Sequence, residues 1–115
     1  MSTLRTTTER ITNMPTKAKK LPPIHPGQVL KEVLDDACIT ANALALALRI
    51  PANRLTEIIN GRRSMSADTA LRLARYFGTS ARMWMNLQAK YDLEAAEDAL
   101  AQKIETEVRP WRKTS

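Results

Sequence analysis

Residues 40–61 read TANALALALRIPANRLTEIING, and most of the architecture follows from them. Thr40 is a helix N-cap residue type, because its hydroxyl can accept from an otherwise unbonded N–H of the first turn. Behind it Leu44, Ala45 and Leu48 recur at helical spacing, which predicts a short helix running to Leu48. Pro51 cannot continue that helix but suits the start of another. Leu55, Ile58 and Ile59 give this next helix an apolar side, and Gly61 stands where its end wants a left-handed residue. Two short helices joined by a tight turn are expected.

The spacing within the pair is informative. Ala45 is small enough for the second helix to cross closely, Leu48 and Ile50 are apolar on both sides of the turn, and Leu55 and Ile58 anchor the second helix by one face only. Those are the requirements of a helix-turn-helix. The face left over carries Ala52, Asn53, Thr56, Glu57 and Asn60, with Arg54 beside it. Asn pairs bidentately with adenine, Arg with guanine, and Glu accepts from the cytosine amino group. The following Gly61-Arg62-Arg63-Ser64 adds two cations and a hydroxyl placed to grip a phosphate. A merely solvated helix would more often carry Lys and Glu four residues apart. Readout of DNA bases by this helix is the expectation, and a plain surface helix is the alternative.

Upstream, Val29, Leu30, Val33, Leu34 and Ala37 form an apolar stripe opposite Lys31, Glu32, Asp35 and Asp36, and Pro26 opens this helix. Downstream, Ser66 caps a helix with Asp68 in its first turn and Leu71, Ala74 and Phe77 as its inner face; Gly78 stops it. Ser80 caps a fifth helix, Ala81 to about Lys90, carrying Trp84 and Leu87, and a sixth is expected from about Leu93 to Lys103. With aromatics at 4% and no strand pattern, the fold is expected to be all-α. Three regions are expected: a flexible basic arm (1–24), a helix-turn-helix domain (25–90), and a C-terminal helix and tail (91–115).

Charge is unevenly spread. Residues 67–90 carry four basic and one acidic side chain, whereas residues 91–108 carry one basic and six acidic. A polyanion suits the first stretch and avoids the second. Function classes also fall away. Cys38 has no thiol partner, His25 is the only histidine, and no Gly-rich phosphate loop exists, so neither a nucleophile–base pair nor a metal set can be assembled. No enzyme, cofactor or metal is expected. His25, before Pro26, reads as a cap rather than a catalyst, and Trp84, Leu87 and Tyr91 read as core rather than a ligand pocket. Cys38 reads as a half-buried helix-end residue. The longest apolar run, residues 43–48, is far shorter than the ~20 residues of a membrane span, and no secretory signal is seen, so a cytoplasmic location is expected.

Four blocks together resemble a known family: Pro26-Gly27-Gln28-Val29-Leu30; Leu55 through Arg63; Ser66 through Ala74; and Trp84-Met85-Asn86-Leu87-Gln88. They are similar to the HigA/VapI antitoxins of the lambda-repressor/Cro-like (XRE) helix-turn-helix family, over His25 to about Leu93. The resemblance implies a five-helix DNA-binding domain, here with an extra C-terminal helix and the N-terminal arm. It also implies a homodimer that represses its own toxin–antitoxin operon and neutralises a HigB-type mRNA-cleaving toxin. Carried onto this chain, it assigns base reading to Ala52, Asn53, Arg54 and Glu57, and phosphate contact to Thr40, Asn42, Asn60, Arg62 and Arg63.

The chain departs from the family at Arg49, where Gly is usual, at Ala43, often basic or polar, and at Leu46, usually polar. A left-handed Arg49 would cost about 1–2 kcal/mol. Two further readings stay open beside the antitoxin: a stand-alone phage-like repressor, and a protein-interaction module that has lost DNA binding. The acidic residues Asp92, Glu94, Glu97, Asp98, Glu105 and Glu107 read as a solvated face, or as a docking surface for a basic toxin.

Overall fold

The computed structural model describes residues 21–112; the arm expected over residues 1–24 lies mostly outside them. Five helices follow among the described residues: α1 (Pro26–Ala37), α2 (Ala41–Leu48), α3 (Ala52–Ile59), α4 (Ala67–Phe77) and α5 (Ala81–Glu107). Each start has a local cause. The His25 ring accepts from the Gly27 N–H, Thr40 from Ala43, Ser66 from Thr69, and Ser80 from Arg82 and Met83. Pro26 occupies the first turn of α1, where its missing N–H costs nothing.

The ends of α1, α2 and α3 are built alike. In each, a left-handed residue turns the chain so that the next N–H reaches back to a carbonyl of the last turn: Ile39 to Leu34, Ile50 to Ala45, and Arg62 to Glu57. At α3 the left-handed residue is glycine, Gly61, as it is at the end of α4, where Gly78 lets the Thr79 N–H reach back to Ala74. At α1 it is Cys38 (φ 58°) and at α2 it is Arg49 (φ 61°). Arg49 therefore does adopt the conformation that costs a non-glycine residue about 1–2 kcal/mol. Help comes from α4, whose Arg72 donates Nη1 to the Leu48 carbonyl at 2.9 Å. Cys38 lies exposed rather than half-buried, since the left-handed turn points it away from the bundle.

The core gathers Leu30 and Leu34 from α1, Leu44, Ala45 and Leu48 from α2, Leu55 and Ile58 from α3, Ala70 and Leu73 from α4, and Trp84 from α5. Ala37, expected on the apolar stripe, is exposed at the C-terminal end of α1. Gly27 permits the tightest crossing: a Cβ there would overlap the Ile58 carbonyl, so α1 and α3 touch backbone to backbone.

Two further expectations are corrected. The buried face of α4 is Thr69, Ala70 and Leu73; of the residues expected inward, Phe77 does pack against the core, half-buried, but Leu71 is 63% exposed. Thr69 can be buried because its hydroxyl and N–H both bond to the Ser66 side chain, so a polar residue takes a place the sequence reading gave to leucine. The sixth helix does not exist separately: α5 runs unbroken for 27 residues, about 40 Å at 1.5 Å per residue. Gln88–Asp92 and Lys90–Glu94 bonds span the expected break, and no Gly or Pro interrupts it. Among the described residues no helix is long and apolar enough to cross a membrane.

Candidate nucleic-acid interface

Helix α3 is clamped to the body by Leu55 and Ile58, both fully buried. Its other flank is thereby fixed outward. Ala52, Asn53, Thr56 and Asn60 are exposed along it, and Glu57 is half-exposed. Pro51 caps α3 without a side-chain acceptor, so the N–H groups of Ala52 and Asn53 open the helix unbonded, its positive end facing outward. Thr56 turns its hydroxyl inward to the Ala52 carbonyl (3.0 Å), leaving Asn53 and Asn60 with the unengaged polar tips.

The cationic residues divide. Arg63 donates Nε to Glu57 Oε1 at 2.8 Å, with Nη2 also 2.8 Å from that oxygen. Arg54 leans away from the exposed flank, 3.4 Å from Asp68 Oδ2, and its side chain is only 35% exposed. Asp68 also holds Arg72, at 3.1 Å. Arg62 is exposed and makes no ion pair among the described residues. At the start of α2, Thr40 spends its oxygen on the cap to Ala43 but keeps its O–H proton to donate, and Asn42 is exposed beside it.

The loop that carries Arg62 and Arg63 is backed by His25. Its Nδ1 accepts from Gly27, its ring packs edge-on against Tyr91 with centroids 4.8 Å apart, and it faces the Arg63 backbone. Burial pushes the His25 pKa below the usual histidine value, although the Asp92 carboxylate and the Arg63 backbone pull the other way. Gln88, buried on α5, braces the next stretch by accepting from the Met65 N–H at 2.6 Å while donating to Asp92.

The expected readers thus sit on one surface except Arg54, which lies round the side of α3 toward α4. The Asp68–Arg72 pair, four residues apart, was legible as a helix-surface pair; its link to Arg54, fourteen residues back, was not. No group of three or more potential metal ligands occurs among the described residues.

The chain matches the Helix-turn-helix family over residues 30–84. Virulence-associated protein I of Dichelobacter nodosus is 45% identical over 86 residues, spanning 74% of this chain and 80% of that protein. An addiction-module antidote protein of the HigA family from Coxiella burnetii superposes with a TM-score of 0.73 at 50% identity, covering 79% of this chain and all of that one. The Pseudomonas aeruginosa antitoxin HigA, solved with the higBA promoter, gives 0.75 at 46% identity over 78% of this chain and 99% of that one. The protein belongs to the HigA/VapI-type antitoxins of the lambda-repressor/Cro-like (XRE) helix-turn-helix family.

Proposed function

We propose that this protein is a cytoplasmic homodimeric repressor of its own toxin–antitoxin operon and the neutralising partner of a HigB-type toxin. The observation that carries the DNA reading is the uncovered flank of α3, continuous with the Arg62–Arg63 loop. Relatives solved with promoter or operator DNA support it. Ala52, Asn53, Glu57 and, after exchanging its Asp68 partner, Arg54 read base edges from the major groove. Thr40, Asn42, Asn60, Arg62 and Arg63 bind phosphates. Residues 25–90 form the DNA-binding unit, and a twofold dimer sets the two α3 helices about one DNA turn apart, ~34 Å. The outer half of α5 extends beyond that unit as a continuation of the same helix. Toxin binding would tune promoter occupancy, and the acidic outer half of α5 offers a basic toxin a docking face.

The test is fluorescence anisotropy with the duplex upstream of the protein's own reading frame. Asn53→Ala is expected to relax base preference at one position by about 1–3 kcal/mol. Arg62→Ala is expected to weaken all sequences alike and to lower the salt slope by about one. Wild-type binding no tighter than to random DNA contradicts the repressor reading. Co-expression with the neighbouring reading frame tests the toxin: its product should arrest growth alone and not beside this protein. A second reading, an interaction module without DNA binding, is favoured by Leu46, 70% exposed on α2.

A further inference from the structure

Arg62 and Arg63 are adjacent in one loop beside the same helix, yet among the described residues only Arg63 is committed to a partner. We infer that Glu57 and Arg63 form a sequence gate, in which Arg63 is released to grip a phosphate only where Glu57 finds an amino-bearing base. The inference rests on the DNA reading proposed above and adds which base chemistry opens the contact. While Nε and Nη2 of Arg63 converge on Glu57 Oε1, that arginine neutralises a carboxylate of its own chain and cannot neutralise DNA.

The exchange is cheap or costly according to the base met. The pair is half-exposed, 51% for Arg63 and 39% for Glu57, and pairs of that kind are held only weakly. In the major groove, cytosine and adenine present an amino donor that satisfies the Glu57 carboxylate. Guanine and thymine present acceptor oxygens there, and a carboxylate pressed against them loses its water with nothing in return. On such a base Glu57 keeps Arg63, and the phosphate contact is not made. The loop backbone is held by the Arg62 N–H, which donates to the Glu57 carbonyl at 2.8 Å, so the loop stays in place while the Arg63 side chain chooses. Arg62, with no such partner among the described residues, grips phosphate whatever the sequence.

The experiment compares Arg62→Ala, Arg63→Ala, Glu57→Gln and Glu57→Gln/Arg63→Ala, each checked for helicity by circular dichroism. Affinity is measured on the upstream duplex and on a random duplex across salt concentrations. On random DNA, R62A should lose about tenfold at 0.1 M salt, the worth of one phosphate contact at a log–log slope of ~0.9, and R63A should lose clearly less, because about half of the bases that Glu57 meets there lack the amino group. Glu57→Gln should steepen the random-DNA salt slope by a fraction of one phosphate contact, since about half of the bases there already release Arg63 in the wild type, and adding R63A should reverse it. On the upstream duplex, R62A and R63A should lose similar amounts. Equal losses for R62A and R63A on random DNA, or an E57Q slope like wild type, overturn the gate while leaving the DNA reading intact. A wild type with no preference for the upstream duplex overturns both.

Discussion

Helix α3 and the outer half of α5 both show polar flanks to solvent, but they are held in opposite ways. Eight-residue α3 is fixed by tertiary contact: two fully buried anchors, a backbone-to-backbone crossing at Gly27, and a following loop backed by His25. Residues 96–107 of α5 are exposed throughout and are supported by pairs within their own helix, such as Lys103–Glu107 at 3.5 Å. A helix of eight residues is too short to persist alone in water. Precision in α3 is therefore borrowed from the body, whereas outer α5 relies on length and local pairing. Reading bases needs the first arrangement, since side chains must be held within a fraction of an ångström of their partners.

Substitutions sharpen this contrast in descending order of effect. Gly27→Ala should be worst: the new methyl meets the Ile58 carbonyl, which is backbone and cannot step aside. A loss of about 3 kcal/mol, the upper end for overpacking, is expected in urea unfolding. An unchanged midpoint would mean that α1 and α3 do not cross so closely. Arg49→Gly should go the other way, stabilising by about 1 kcal/mol as the left-handed turn loses its Cβ penalty. Lys103→Ala, in outer α5, should shift stability by no more than about 0.5 kcal/mol. A larger shift would show outer α5 to be part of the cooperative body.

His25 makes the contrast pH-dependent. Its folded pKa is depressed, chiefly by burial, so the unfolded chain takes up a proton first as pH falls through the ordinary value of 6.5. Stability should be complete above that value and decline below it, until the folded-state pKa is reached. Protonation also converts the Nδ1 acceptor of the Gly27 cap into a donor. The groups facing the ring are Tyr91, Asp92 and the Arg63 backbone. The melting temperature of wild type should fall as the pH is lowered through the ordinary histidine value of 6.5, and that of His25→Asn, which keeps a capping oxygen, should fall less.

Much of this was legible in the sequence, for reasons that differ by residue. The caps at Thr40, Ser66 and Ser80 and the stop at Gly78 are local chemistry, so single residues announced them. Leu44, Ala45, Leu48, Leu55 and Ile58 were placed in the core because their spacing fits one packing arrangement. The α4 face was misjudged in helical phase: the line Leu71, Ala74 and Phe77 was read as inward, whereas the buried line is Thr69, Ala70 and Leu73, and burial of Thr69 depends on a hydrogen bond to Ser66. The continuity of α5 was missed because a change from apolar to acidic composition was read as a boundary. The exposed line Asn53, Thr56, Asn60 followed from helical spacing, but the pairing of Arg54 with Asp68 and of Arg63 with Glu57 depends on how loops bring distant residues together.

Amide chemical shifts in the presence of the upstream duplex bear on the whole account at once. Titrating that DNA into isotope-labelled protein should move the signals of Ala52, Asn53, Glu57, Asn60, Arg62 and Arg63 most and leave residues 96–107 still. Perturbation centred on the outer half of α5, with the α3 flank unmoved, would contradict it.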